Sequence, residues 1–140
     1  MRIKRVCSPE IKAPEFHHVG DAGYDLRSTI DTDIYPHENV MIPTGFVWEI
    51  PTGFCGFVKS RSGLATREDI LSFHGLIDSS YRGELVIQIR NVGTRPYVVG
   101  VNDRIAQLVV VPYAQFDIQE VTELGDTSRG LNGFGSSGVK

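Results

Sequence analysis

Five short segments of the chain concentrate small and polar residues: four combine glycine with aspartate, arginine or serine, and the segment 102–108 combines aspartate, arginine and glutamine without glycine. They are residues 21–28 (DAGYDLRS), 60–65 (SRSGLA), 75–84 (GLIDSSYRGE), 102–108 (NDRIAQL) and 129–138 (RGLNGFGSSG). Glycine lets backbone N–H groups approach a phosphate closely, and arginine and serine supply further donors to its oxygens. The segments therefore indicate a phosphorylated ligand, although none has the GxxxxGK[ST] spacing of a P-loop.

Each segment taken alone also has an ordinary structural explanation. Asp25 could close an Asx turn, Ser62 could cap a short helix, and residues 78–83 could be a plain hairpin turn. Gln107 could be a satisfied amide at the edge of a strand. Asp21 is interpreted as a turn residue, and Asp103 with Arg104 as a structural pair. The residue types alone leave these alternatives open.

The elements that must position these segments are predicted to be β-strands. Valine, isoleucine and threonine outnumber alanine and leucine, and β-branched residues favour strands. Strands are predicted over 40–42, 46–50, 54–58, 84–91, 96–101, 104–111 and 116–121, with turns at 43–45 and 51–53. A short helix is predicted over 64–71, where Leu64 and Leu71 share one face. The pattern is typical of an all-β sandwich or barrel.

Composition excludes several classes of protein. A chain of 140 residues has the length of one domain and can bury a core of its own. Its 14 Lys and Arg against 17 Asp and Glu give a net charge of −3, which argues against a nucleic-acid-binding face. No apolar run reaches the ~18 residues of a membrane span, and no apolar stretch follows the basic N-terminus as in a secretory signal. Cys7 and Cys55 form no zinc or disulfide pattern, so a reducing, cytoplasmic setting is expected.

Taken in order, the five segments resemble the five motifs of the trimeric dUTP diphosphatases (dUTPases). The resemblance extends from about residue 20 to the C-terminus. It implies a jelly-roll β fold, a homotrimer with shared active sites, a Mg²⁺ cofactor, and hydrolysis of dUTP to dUMP and pyrophosphate. That reaction would limit uracil in DNA and supply dUMP for dTMP synthesis. The resemblance also implies a β-barrel domain over 1–124 and a flexible, glycine-rich, substrate-closing arm over 125–140.

The resemblance assigns the chemistry mainly to the third segment. Asp78 is similar to the family's base, which directs water at the α-phosphate. Tyr81 is similar to the residue that packs on the deoxyribose and leaves no room for a 2′-hydroxyl. Asp25 would accept hydrogen bonds from waters on Mg²⁺. The uracil pocket is expected from Ser72, Gly75, Leu76, Ile77 and Val86.

The remaining segments are expected to hold the phosphates and close the site. Arg61, Ser62 and Gly63 would bind phosphate oxygens, and Gln107 would reach the α-phosphate region. In the arm, Arg129 would reach the γ-phosphate and Phe134 would stack on uracil. The other arm residues expected at the ligand are Gly135, Ser136 and Ser137.

A few residues depart from the family's usual pattern. Ser60 stands where proline is usual, which is expected to loosen the backbone, and Ser72 stands where asparagine is common. Asn102 and Asn132 replace glycines, and His74 is unusual. Two alternatives to a dUTPase are a relative that deaminates dCTP on the same fold and a regulatory trimer without turnover. The joint presence of the catalytic residue types argues against both.

Overall fold

A computed structural model of the chain describes residues 1–73 and 75–131; His74 and residues 132–140, with the predicted ligands Phe134 to Ser137, lie outside it. Ten strands and one short helix follow one another in this described part. They are β1 (Arg2–Arg5), β2 (Gly23–Arg27), β3 (Thr32–Ile34), β4 (Asn39–Glu49), β5 (Phe54–Lys59), α1 (Ser62–Arg67), β6 (Ile70–Phe73), β7 (Leu76–Ile77), β8 (Glu84–Asn91), β9 (Tyr97–Val99) and β10 (Arg104–Pro112). The predicted all-β class with one short helix is confirmed.

The strands form two antiparallel four-stranded sheets and a two-stranded ribbon. The first sheet has the order β1-β4-β8-β6, the second β2-β10-β5-β7, and β3 pairs with β9. One hydrophobic core joins the two larger sheets, with Ile42, Ile87 and Ile89 from the first and Leu26 and Leu108 from the second. Within residues 1–73 and 75–131 the sheets do not close into a continuous barrel. The ends of the second sheet carry most of the chemistry-bearing residues.

Strand β8 forms where the sequence predicts it because its residues alternate strictly. Leu85, Ile87 and Ile89 are buried, and the residues between them are half-buried. This period of two places one face on the core. The strand therefore fixes the position of the hairpin that precedes it, which contains Asp78.

Strand β4 includes residues 43–45, which the sequence predicts to form a turn. Its register against β8 shifts between Pro43 and Val47, which marks a bulge rather than a reversal of the chain. Gly45 takes a φ of +77° at this point, and its amide donates to Glu84 Oε1 at 2.7 Å. Residues 43–45 have the composition of a turn but form a bulge inside one strand.

Two further predictions are wrong. The helix ends at Arg67, because Asp69 takes a φ of +56° and the chain then enters β6, which contains Leu71. Residues 116–121 form no strand in the described chain, and Phe116 and Ile118 are 81% and 99% exposed. These alternating apolar side chains lack a covering surface within the described part of one chain. As for helices that could cross a membrane, the described residues contain none.

Candidate functional site

A carboxylate is almost completely buried among basic and amide side chains at one end of the second sheet. Asp25 is 1% exposed. Its Oδ2 lies 3.2 Å from Arg104 Nη1, and its Oδ1 lies 3.5 Å from both Arg61 Nε and Gln107 Nε2. We call these four residues the arginine–aspartate cluster. Two guanidinium groups against one carboxylate leave an excess positive charge that suits an anionic ligand.

A bulge in β10 brings both Arg104 and Gln107 to Asp25. The two residues are three apart, so a regular strand would place them on opposite faces. Against β2 the register shifts between Arg104 and Ala106, which leaves Ile105 as the extra residue. The predicted pair of Asp103 with Arg104 is therefore wrong, and Asp103 instead accepts the Gly100 amide at 2.8 Å.

The cluster fits a metal ion only as an acceptor for the ion's water ligands. Within the described residues, no three His, Cys, Asp or Glu side chains come close enough together to hold a metal. Magnesium commonly keeps several waters and takes one or two carboxylates together with substrate phosphates. Two of the three contacts to Asp25 are 3.5 Å long, and a carboxylate has about four lone-pair positions, so acceptor capacity remains.

The second group of predicted site residues lies in the hairpin that connects β7 to β8. A cavity of about 340 Å³ opens there, which we call the hairpin cavity. Its lining is mostly apolar but includes the Asp78 and Tyr81 side chains. The residues that line it are Met41, Leu76, Ile77, Asp78, Tyr81, Glu84, Leu85 and Val86.

The Tyr81 ring is held at the cavity by its own turn. Its amide donates to the Asp78 carbonyl at 3.1 Å, and its hydroxyl donates to the Glu84 carbonyl at 3.2 Å. The ring lies directly on Gly83, where an added Cβ would be 2.2 Å from the tyrosine hydroxyl oxygen. Gly83 is thus required for the ring to lie flat against the turn.

The turn that presents Asp78 is also fixed by an arginine. Arg82 Nη1 donates to the carbonyls of Ser79 and Tyr81 at 2.6 and 2.8 Å. Arg82 Nη2 also lies 3.9 Å from Glu49, whose pKa is lowered mainly by a hydrogen bond from Arg2. The exposed Asp78 borders a second cavity of about 370 Å³ as well.

Ser72 is the predicted pocket residue that the structure uses differently. It is 9% exposed, and its hydroxyl donates to the Ile105 carbonyl of the opposite sheet at 3.1 Å. Among the described residues that line the hairpin cavity, neither Ser72 nor Gly75 is present. The Ser72 hydroxyl is therefore already bound within the protein, and the place of Ser72 in the uracil pocket stays a prediction.

Other predicted phosphate ligands lie at the start of α1 and in the last described segment. Arg61 is the N-cap of the helix, so Ser62 is its first residue and not its cap. A Cβ added to Gly63 would meet nothing within 4 Å. Arg129 lies in the exposed stretch after β10. Asp21 is a turn residue, as predicted, with its carboxylate accepting the His18 amide at 2.8 Å.

Strand register keeps the arginine–aspartate cluster and the hairpin cavity apart in one chain. Asp25, Gln107 and Lys59 form one row across the second sheet, whereas Ile77 pairs with Gly56, three residues further along β5. Three strand spacings of ~4.8 Å and three residues of ~3.3 Å separate Asp25 from Ile77 by roughly 17 Å. The two groups therefore lie at separate places on one chain, and we call each of them a half-site.

Sequence reasoning missed some residues at both half-sites. Met41 and Leu85 line the hairpin cavity, although neither carries a polar group that would signal a site. Arg104 reaches Asp25 only because of the bulge at Ile105. The pairing of β4 with β8 across Met41 and Gln88 could have indicated Met41, but it requires the register to be known.

Comparison with known proteins gives a consistent family. A family model described as dUTPase matches residues 9–138. The chain is 42% identical to a deoxyuridine 5'-triphosphate nucleotidohydrolase of Rhizobium johnstonii, over 99% of this chain and 94% of the relative. It is also 42% identical to the enzyme of that name from Cutibacterium acnes, over 98% of this chain and 91% of the relative.

Solved structures agree over nearly the whole chain. The dUTPase of Staphylococcus bacteriophage 80alpha with dUpNHpp superposes with a TM-score of 0.92 at 31% identity, covering 99% of this chain and 98% of that one. A mutant dUTPase of phage phi11 of S. aureus, in which a structural Mg(II) ion is coordinated, has a TM-score of 0.81 at 28% identity. The shares covered there are 88% of this chain and 98% of that chain.

Proposed function

The chain belongs to the dUTPase family, and from this premise we propose how its two half-sites act on one nucleotide. It is a dUTP diphosphatase that hydrolyses dUTP to dUMP and pyrophosphate. The observation that carries the proposed mechanism is the hairpin cavity, where the Asp78 carboxylate and the Tyr81 ring border one mostly apolar space. An apolar space with few polar groups suits a base and a sugar.

Asp78 is the general base. Its carboxylate is exposed at the mouth of the cavity, so it can accept a hydrogen bond from a water molecule. That water attacks the α-phosphorus in line, and its proton passes to Asp78. The bond from the α-phosphorus to the bridging oxygen breaks, and its electron pair leaves with pyrophosphate.

Tyr81 and the apolar lining select the nucleoside. The ring is held on Gly83 and by the Glu84 carbonyl, so it cannot withdraw from the sugar without losing that hydrogen bond. A flat ring against the deoxyribose excludes a 2′-hydroxyl by contact. Leu76, Ile77 and Val86 enclose the uracil.

The arginine–aspartate cluster holds the triphosphate. Arg61 and Arg104 contribute two positive charges, of which Asp25 compensates one. Gln107 adds an amide donor beside the same carboxylate. Mg²⁺ bound with the triphosphate would neutralise phosphate charge, and Asp25 would accept hydrogen bonds from its waters.

One active site uses half-sites from different chains. The base and the phosphate-binding groups must act on one nucleotide, but Asp25 of the cluster and Ile77 of the hairpin cavity lie roughly 17 Å apart within a chain. A homotrimer with a threefold axis brings the hairpin cavity of one chain to the cluster of another and repeats this contact three times. The exposed apolar side chains after β10, including Leu124 at 87% and Leu131 at 105%, are surface for such a partner to cover.

The C-terminal arm over 125–140 completes the site. Arg129 would contact the γ-phosphate, Phe134 would stack on uracil, and Gly135, Ser136 and Ser137 would follow the phosphates. An arm that orders on the nucleotide expels water before the reaction. In the cytoplasm the enzyme limits uracil incorporation into DNA and supplies dUMP for dTMP synthesis.

Release of pyrophosphate from dUTP, dTTP, dCTP and UTP, each with and without Mg²⁺, tests the proposal. We expect release from dUTP far above the other three, and a fall when the metal is chelated. Absence of release from dUTP would contradict the proposal. Ammonia release from dCTP would favour the deaminase alternative, and binding of dUpNHpp without turnover of dUTP would favour the regulatory one.

A further inference from the structure

The two serines that depart from the family pattern near the second motif are bonded to each other. The Ser72 amide donates to Ser60 Oγ at 2.8 Å, and the Ser60 hydroxyl donates to the Ser72 carbonyl at 3.3 Å. Strand β6 lies at the edge of its sheet, so it has no neighbouring strand on this side among the described residues. The Ser60 hydroxyl instead bonds to the backbone N–H and C=O of Ser72 there. These two hydrogen bonds hold Ser60 against Ser72, and the expectation that serine loosens the backbone relative to proline stays a prediction.

The Ser72 side chain continues this connection into the second sheet. Its hydroxyl donates to the Ile105 carbonyl at 3.1 Å, in buried surroundings. Ile105 is the extra residue of the bulge in β10, and among the described strand pairs the register gives it no partner in β2 or β5. Ser72 thus satisfies a carbonyl that the bulge removes from the ladder.

Arg61 closes the connection into a ring. Arg61 Nη1 donates to the carbonyl of Arg104, the residue next to Ile105, at 2.9 Å. Arg61 also follows Ser60 directly in the chain. The ring therefore links the backbone of the bulge to both arginines that contact Asp25.

We infer that Ser60 and Ser72, together the serine bridge, are positioning residues that hold the bulge in β10 and so aim Arg61 and Arg104 at the triphosphate. This inference rests on the proposed function of the arginine–aspartate cluster. The serines contact no reacting atom themselves. They act because Arg104 and Gln107 face the same carboxylate only while the bulge is kept.

Removal of a bridge hydroxyl leaves a buried backbone group unpaired and frees the bulge to move. A misplaced arginine weakens binding of the phosphates in the ground state and the transition state alike. We therefore expect Ser60→Ala and Ser72→Ala to raise both the KM for dUTP and the Kd for dUpNHpp about tenfold, with kcat within about twofold of wild type.

Four variants make the test specific. Ser60→Ala and Ser72→Ala each remove one member, and Ser60→Thr keeps a hydroxyl at the half-buried position 60 and is expected to restore the wild-type KM. Thr52→Ala, at an exposed turn before β5, is the matched loss of a hydroxyl elsewhere and should change nothing. Amide exchange of Ser72 should accelerate in Ser60→Ala, because its acceptor is gone.

The outcomes separate the inference from the function on which it rests. A wild-type protein that releases no pyrophosphate from dUTP refutes the proposed function. If the wild type is active and a folded Ser60→Ala variant keeps its KM and Kd within twofold, the serine bridge is refuted. A Ser60→Thr variant whose KM is no lower than that of Ser60→Ala refutes it as well. Ser60→Ala supplies this answer even if Ser72→Ala fails to fold.

Discussion

The Asp78 side chain is exposed between two cavities, so its replacement tests chemistry with little effect on folding. We expect Asp78→Asn to lower kcat by about 100- to 10,000-fold, the usual contribution of a general base. Binding of dUpNHpp, measured by calorimetry, should remain. Ser80→Ala, at an exposed position in the same turn, serves as the control. Near-normal turnover in Asp78→Asn would show that Asp78 is not the general base.

The Tyr81 ring offers a second test at the scale of single residues. In Tyr81→Ala the contact that excludes a 2′-hydroxyl is lost, so the kcat/KM for UTP relative to dUTP should rise about tenfold or more. Tyr81→Phe keeps the ring and loses only the hydrogen bond to the Glu84 carbonyl, so it should retain most of the discrimination. Pyrophosphate release from the two nucleotides gives the ratio. An unchanged ratio in Tyr81→Ala would contradict the steric explanation.

At the scale of elements, the bulge in β4 depends on Gly45. An added Cβ would lie 2.3 Å from Cys7 Sγ, in a residue whose φ is +77°. We expect Gly45→Ala to lower the free energy of unfolding by about 3 kcal/mol, from strain and overlap together. Gly53→Ala has a similar φ of +85° but open space, so it should lose only about 1 kcal/mol. Equal losses in urea unfolding would show that overlap with Cys7 plays no part.

The same bulges mark the limit of what the sequence could predict. Strand β8 was predictable because Leu85, Ile87 and Ile89 recur at every second position, and one buried face decides the period. Residues 43–45 have the composition of a turn, but pairing with β8 absorbs them into a strand. The contact of Arg104 with Asp25 needs an extra residue in β10, and period-two reasoning cannot place such a residue.

The predicted strand over 116–121 fails for a reason that belongs to the whole molecule. Its apolar residues alternate as in a strand, yet they are exposed in the described part of one chain. A strand forms only when its edge and one face find partners, and the described part of one chain supplies neither here. The motifs identified the candidate site residues by type, whereas only the register shows that they lie in two separate places on one chain.

Deletion of residues 128–140 tests the arm at the same scale. These residues follow the last strand of the described part of the chain, which ends at Pro112, so the described sheets should remain intact. We expect an unchanged far-ultraviolet circular dichroism spectrum and the same oligomeric mass, with most of the dUTP turnover lost. Full activity in the truncated protein would show that no closing arm is needed.

Mixing two inactive variants tests the division of the site most directly. Asp25→Asn disables the arginine–aspartate cluster, and Asp78→Asn disables the hairpin cavity. If each site combines the cluster of one chain with the cavity of a neighbour, equal co-refolding of the two variants should restore about a quarter of the sites, since the two intact halves then meet at random around a cyclic trimer. Each variant refolded alone is the control. Recovery of pyrophosphate release to about a quarter of the wild-type rate is the predicted result, and a mixture as inactive as its components would contradict the shared site.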